Sequence, residues 1–274
     1  MKLSSEFDYL RPFKTELTRV GPKGDGGYVI PQHVVSTTQS LYSIGISTNW
    51  DFEIEMSKLN PGLIIEAFDR TSGWQVFGYL ALRDLLRGDP SESEKMSMGS
   101  RAKSALHYLK LSVRFRIFFS GRKKFDRKWV RELSNSRSEV SFADSIHGLF
   151  DTDQVMLKID IEGGEYELSK PLVECLNQNL NYVNSVVMEF HDTRVRRNEF
   201  ENLVRAISSV FPIVHIHGNN CVVVAPDGLP EVVEITFAKD CENRYSDDVI
   251  FPLNGLDYPN DPEKPDLAFA FTVK

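Results

Sequence analysis

Two carboxylates, Asp160 and Glu162, stand in the run Leu157-Lys158-Ile159-Asp160-Ile161-Glu162-Gly163-Gly164-Glu165. Val155 to Ile161 has the apolar character of a strand buried on both faces. The acids therefore fall at the carboxyl end of a strand, where open α/β sheets bind ligands. Strand alternation puts Asp160 and Glu162 on one side, with Ile159 and Ile161 on the other. Gly163 and Gly164 then allow a tight turn or a close backbone approach to a ligand. Acids so placed can orient a reacting group or hold a cation. The alternative is that they cap the helix expected from about Glu165.

Other polar residues also follow apolar runs. Ile44-Gly45-Ile46-Ser47-Thr48-Asn49 ends a short run, and Gly45 permits close approach while Ser47 to Asn49 can turn the chain and cap the next helix. Asp69 ends Ile65-Glu66-Ala67-Phe68, 24 residues after Gly45. An acid there can accept hydrogen bonds from a ribose in Rossmann-type folds, or cap Thr71 onward. His191 ends Val187-Met188-Glu189-Phe190 and is a candidate general base, because an unperturbed imidazole titrates near neutrality; it is equally readable as structural. His215 and His217 alternate to one face ahead of Gly218. Asp160, His191 and His217, with Glu162 and His215 near, could hold a divalent metal by residue type, although the spacing does not specify one. Asp25-Gly26-Gly27-Tyr28 reads as a hairpin turn, or as a pocket wall offering N–H groups from Gly26 and the ring of Tyr28.

These residues need elements to bring them together. Leu41 to Ser47, Leu63 to Asp69, Ser112 to Phe119, Val155 to Ile161, Val183 to Phe190 and Ile213 to Ile216 read as strands. Asp51 to Leu59, Gly73 to Arg87, Glu165 to Gln178 (interrupted by Pro171) and Glu199 to Val210 read as helices. Residues 89–104 read as a polar, mobile loop and Gly121 to Arg131 as a basic connection. Val222 to Ala225 and Val232 to Phe237 read as a late antiparallel pair around Asp227-Gly228. The β-α alternation predicts an α/β fold, a mainly parallel sheet with helices on both faces and a C-terminal antiparallel strand pair. Right-handed crossovers then gather the carboxyl ends of the parallel strands on one edge.

With 274 residues, 41% of them hydrophobic, the chain is long enough for one sizeable core. A single domain over 1–274 is expected, with a glycine-rich lead-in at about 1–40 and a basic insertion at about 71–139. A formal charge of −7 argues against a general nucleic-acid binder. No apolar run has the length of a membrane span, and the first residues lack the apolar core of a secretory signal. Three widely spaced cysteines fit a reduced, cytoplasmic protein and no zinc motif.

Together the pieces resemble the FkbM family of S-adenosylmethionine-dependent methyltransferases. The resemblance runs through Asp25-Gly26-Gly27-Tyr28, Tyr42-Ser43-Ile44-Gly45 with Phe52-Glu53, Ala67-Phe68-Asp69, Lys158-Ile159-Asp160-Ile161-Glu162-Gly163, Met188-Glu189-Phe190-His191 and His217-Gly218-Asn219-Asn220, over about residues 17–225. It implies a Rossmann-like class I methyltransferase sheet with a final reversed strand, S-adenosylmethionine as cofactor, and methyl transfer to a hydroxyl of a sugar, glycan or natural product. Carried over, Gly45 sits under the cofactor, Asp69 holds its ribose, and Asp160 and Glu162 line the reaction edge. Ser47, where related proteins often have glycine, and the long segment between residues 71 and 139 depart from the pattern.

The residues then divide into roles. His191 is the expected base, Asp160 orients the acceptor or the histidine, and Glu162 binds the cofactor amine or a metal. Gly26, Tyr28, Gly45, Ser47, Asp69 and Asp160 are the expected cofactor contacts. Residues 101–137 carry 12 Lys or Arg against Asp126 and Glu132, which suits recruitment of an anionic acceptor or simply a solvated basic face. Two rivals remain: a non-catalytic module of the same fold that binds a glycan or nucleotide, and a nicotinamide-dependent oxidoreductase, disfavoured by the missing three-glycine loop.

Overall fold

The computed structural model describes residues 2–86, 98–247 and 250–271. Its elements, in chain order, begin with a hairpin of β1 (Leu17–Val20) and β2 (Tyr28–Pro31), then α1 (Gln32–Thr37), β3 (Ser40–Ile44), α2 (Asp51–Leu59) and β4 (Ile64–Phe68). Helices α3 (Trp74–Leu86) and α4 (Met98–Phe118) follow, then short strands β5 (Lys123–Asp126), β6 (Trp129–Arg131) and β7 (Glu139–Ser141), and α5 (Phe142–Ile146). The second half holds β8 (Val155–Ile159), α6 (Ser169–Gln178), β9 (Val183–Phe190), α7 (Arg197–Ser208), β10 (Ile213–Gly218), β11 (Val233–Ala238), β12 (Ile250–Phe251) and β13 (Phe269–Ala270).

Seven strands form the central sheet in the order β5-β4-β3-β8-β9-β11-β10. All neighbours are parallel except those of β11, which runs against both β9 and β10. This is the expected Rossmann-like class I methyltransferase arrangement. The chain runs outward from β3 through β4 to β5, then returns to β8 on the other side of β3. The crevice between the carboxyl ends of β3 and β8 is therefore the topological switch point. Alternation sorts the core onto two faces. Tyr42, Ile44, Leu157, Ile159 and Met188 pack with α5, α6 and α7, while Leu41, Ile65, Met156 and Val187 pack with Trp50 and Phe52 around α2, α3 and α4.

Several expectations change. Ser112 to Phe119 is not a strand but the end of α4. The alternation of Val113, Phe115 and Ile117 with arginines mimicked period 2, yet Phe115 is buried against Trp50, Phe77 and Phe125, which only a helix lying on α3 allows. The loop expected over 89–104 already gives way to α4 at Met98, and its part up to residue 97 lies outside the described residues. The basic connection of residues 121–131 contains β5, whose lysines suit a sheet edge. Val222 to Ala225 does not pair with β11. Only Val224 bridges Pro230, and Val223 is 68% exposed. The fully buried β11 inserts between β9 and β10 instead. Pro171 does not interrupt a helix, because α6 starts at Ser169 and proline is tolerated in a first turn.

Candidate functional site

Strand β8 ends at Ile159, so the alternation expected to carry Asp160 and Glu162 together does not reach them. The chain breaks away, and Glu162 takes a left-handed φ of 51°. Ser47 after β3 (44°) and Asp192 after β9 (53°) do the same. Three left-handed non-glycine residues thus line one sheet edge, each costing about 1–3 kcal/mol of strain. Gly45, with φ 80°, has a different necessity: a Cβ there would overlap the carbonyl of Asp160. Its lack of a side chain lets β3 and β8 close up at the switch point, whatever ligand lies above.

A cleft of about 450 Å³ opens at this edge, lined by Gly45, Ser47, Asp69, Asp160 and Glu162, with Ile44, Phe68, Val130 and Ile161 as apolar wall. Asp69 is 7% exposed. Its Oδ2 accepts from the Ser47 N–H at 2.7 Å, and its Oδ1 from the N–H and the hydroxyl of Thr71, both at 2.6 Å. The same acid therefore caps its own loop and faces the cleft. A carboxylate offers about four acceptor positions, so Asp69 keeps one for a ligand hydroxyl. A second hydroxyl would have to displace that of Thr71.

Beside this cleft, and sharing Gly45, Ser47, Asp160 and Glu162 with it, lies a smaller cavity of about 300 Å³ that adds Gly26, Lys158, Glu189, His191 and Asn219. Asp160, Glu189 and His191 each bring one donor atom within 4.8 Å of the others. Tyr28 donates to Asp160 Oδ2 at 3.0 Å and Asn219 to Glu189 Oε1 at 2.9 Å. Burial, then the charges of Asp160 and Glu234, hold the Glu189 carboxyl well above its ordinary range, so it retains a proton readily. Lys158 is 3% exposed and supplies the compensating charge, 3.6 Å from Glu53 Oε1 and 3.4 Å from the Gly45 carbonyl. Burial works to strip its proton, but Glu53, Asp160 and Glu189 outweigh it and raise its pKa.

His191 is held through Glu165, which is fully buried. Glu165 Oε1 accepts the His191 backbone N–H at 2.7 Å and stands 3.4 Å from Nδ1. That second contact is an ion-pair distance without hydrogen-bond alignment, since Nδ1 has no hydrogen-bond partner. Nε2 lies 3.5 Å from the largely exposed carboxylate of Glu162. Burial would lower the imidazole pKa. The carboxylate of Glu165 beside the ring, then the charges of Asp160 and Glu162, reverse this and leave it raised.

Seven expected residues therefore line the two cavities: Gly26, Gly45, Ser47, Asp69, Asp160, Glu162 and His191. Gly26 has φ 77°, and a Cβ there would overlap the Asn49 side chain. Tyr28 is 2% exposed, lines neither cavity, and acts through Asp160. His217 is elsewhere. It is clasped by Glu234 at 3.4 Å and Asp266 at 3.1 Å, and Glu189 takes the place expected for it beside Asp160 and His191. The physical reason is the C-terminal segment, which folds over β10 and presents Asp257 to His215 and Asp266 to His217. Lys158, Glu189, Glu165 and Asn219 carry no expected role. Lys158 and Glu189 nonetheless left a signal, because a charge inside a buried strand needs a partner.

No family model matches the sequence, and no curated protein matches it. Solved structures of similar shape include fibrillarin in its complex with Nop5p, at 12% identity over 74% of this chain and 73% of that one, with a TM-score of 0.35. Another is the METTL16 MTase domain, at 12% identity over 74% of this chain and a TM-score of 0.37; this chain spans 61% of its length. A third is precorrin-6y C5,15-methyltransferase from Geobacter metallireducens GS-15, at 12% identity over 80% of this chain and 95% of that one, with a TM-score of 0.35. Among the described residues, no helix is long and apolar enough to cross a membrane.

Proposed function

We propose that the chain is an S-adenosylmethionine-dependent methyltransferase acting on a hydroxyl of a sugar, glycan or natural product, a member of the FkbM family working in the cytoplasm. One observation carries the reading. A switch-point cleft with an acid at the end of β4 opens, through Asp160 and Glu162, onto a cavity holding a half-buried histidine. The donor set fits the cofactor: Asp69 keeps an acceptor position for a ribose hydroxyl, and Phe68, Val130 and Ile161 form an apolar wall for a planar base. Free Cys175, Cys221 and Cys241 suit a reducing compartment.

Bound S-adenosylmethionine would supply a methyl group on a cationic sulfur, the electrophile for an acceptor oxygen. The protein must then place that oxygen and take its proton. His191 Nε2 is the atom for the proton, with Glu165 fixing the ring and Glu162 near enough to hold the acceptor or the cofactor amine. Because the His191 pKa is raised, its basic form is reached at higher pH, and turnover should climb with pH through a value above the ordinary imidazole range. Asp160, Glu189 and His191 suit a divalent cation by donor type, but Lys158 already balances charge there and no step requires the ion.

Calorimetric titration with S-adenosylhomocysteine tests the reading. Wild type should bind, and an Asp69→Ala variant that keeps the wild-type melting profile should bind much more weakly. His191→Ala should keep the affinity and slow turnover about 10²–10⁴-fold with a true acceptor. A folded wild type that ignores the ligand would sink the proposal. Binding without transfer to any acceptor would favour a non-catalytic glycan- or nucleotide-binding module.

A further inference from the structure

A groove of about 700 Å³ lies away from the candidate site, along the outer face of α4. Leu106, Leu109, Val113 and Ile117 stand there 51–71% exposed. Their spacing of three, four and four residues forms a single stripe on a 21-residue helix, about 30 Å long. The opposite face is fully used: Leu111 and Phe115 are buried, and Ser104 and Ser112 bond to α3. The exposed stripe is thus surplus to the fold.

Charge identifies what suits it. Helix α4 contains five Lys or Arg and no Asp or Glu. By helical position, Lys103 and Lys110 flank one side of the stripe, beside Arg114, which is ion-paired with Asp51, and Arg116 flanks the other, where its guanidinium lies 5.3 Å from the Trp74 ring centroid. Lys123 borders the groove. Acids exceed bases by seven over the whole chain, so this positive rim is concentrated on one surface. A second copy of the same face would bring like charge against like. An apolar stripe between two basic flanks instead matches acyl chains beneath anionic headgroups.

We propose that α4 docks the protein on an anionic bilayer surface, with Leu109, Val113 and Ile117 entering the headgroup boundary and Lys103 and Lys110 at phosphate level. This goes beyond the methyltransferase reading and does not depend on it. Cosedimentation tests it with the full chain, using vesicles of phosphatidylcholine alone and vesicles containing phosphatidylglycerol. Binding is expected to the second kind only, and to fall at 1 M salt, where the screening length is about 3 Å. Lys103→Gln with Lys110→Gln should weaken it about 25-fold, at about fivefold for each basic side chain. Leu109→Gln, Val113→Gln and Ile117→Gln together should abolish it. All five positions are exposed, so unchanged circular dichroism is expected and separates docking from folding. Three results would overturn the proposal: no binding of folded wild type to either vesicle, full binding by the triple variant, or a concentration-dependent dimer that the triple variant dissolves.

Discussion

Replacing Lys158 by methionine should destabilise the fold by about 3–5 kcal/mol, the cost of breaking a buried pair by removing one partner. Lys158 Nζ is 3.6 Å from Glu53 Oε1, and the two residues are 3% and 0% exposed. At an effective dielectric of about 20, that separation is worth roughly 4–5 kcal/mol of attraction. The distance is long for a charge-assisted hydrogen bond, which points to the lower half of the range. Without the ammonium, Glu53 keeps only the Ser43 hydroxyl, at 2.6 Å from Oε1, while its Oε2 has no partner. Asp160 and Glu189 lose the same cation. Methionine preserves the length and apolar stem of lysine, so the loss reads charge and not volume. Urea unfolding of wild type, Lys158→Met, Glu53→Gln and the double variant would measure it. The double variant should recover about 2 kcal/mol of the summed single losses, since the pair is coupled. A Lys158→Met protein within about 1 kcal/mol of wild type, or strictly additive losses, would refute the assignment of Lys158 as the buried counter-ion.

Ser47→Gly should raise stability by about 1 kcal/mol, because φ 44° strains any residue with a Cβ while the Asp69 contact uses only the backbone N–H; thermal unfolding reads it. Gly45→Ala should cost about 3 kcal/mol or more, as its Cβ would strike the Asp160 carbonyl, and unchanged urea unfolding would contradict the close approach of β3 and β8. His217 has its pKa raised to about 10: burial lowers it, but bonds to Asp266 and Glu234 outweigh burial. A raised folded value means that its stabilisation is complete below the unfolded imidazole pKa and is lost as pH climbs toward about 10. The melting temperature of wild type should therefore fall across that window, and His217→Gln should flatten the fall.

The sheet was legible because its strands advertise themselves. Val183–Phe190 is eight consecutive buried residues, and helix α2 begins and ends at the residues its spacing predicts. The candidate site was legible where a polar residue ends an apolar run, as at Asp69, Asp160 and His191. Helix α4 was missed throughout: its start read as polar loop, and its last turns as a strand, because a short stretch of alternating apolar and basic residues satisfies both periods and only Trp50 and Phe77 packing on Phe115 decides between them. β5 was missed because an edge strand needs little apolar character.

The sequence by itself determined the α/β class, the edge at which polar residues collect, and most of the residues found there, since those follow from local periodicity and chain order. Only the tertiary structure decided the partnerships. It placed Lys158 among Glu53, Asp160 and Glu189, set Glu165 behind His191, and drew His217 away to Glu234 and Asp266. It also gave Ser47, Glu162 and Asp192 their left-handed turns. The physical reason is that a buried charge is settled by whichever distant group arrives within a few ångströms, and residues such as His217 and Asp266, 49 positions apart, meet only when the sheet and the segment that wraps it are both in place.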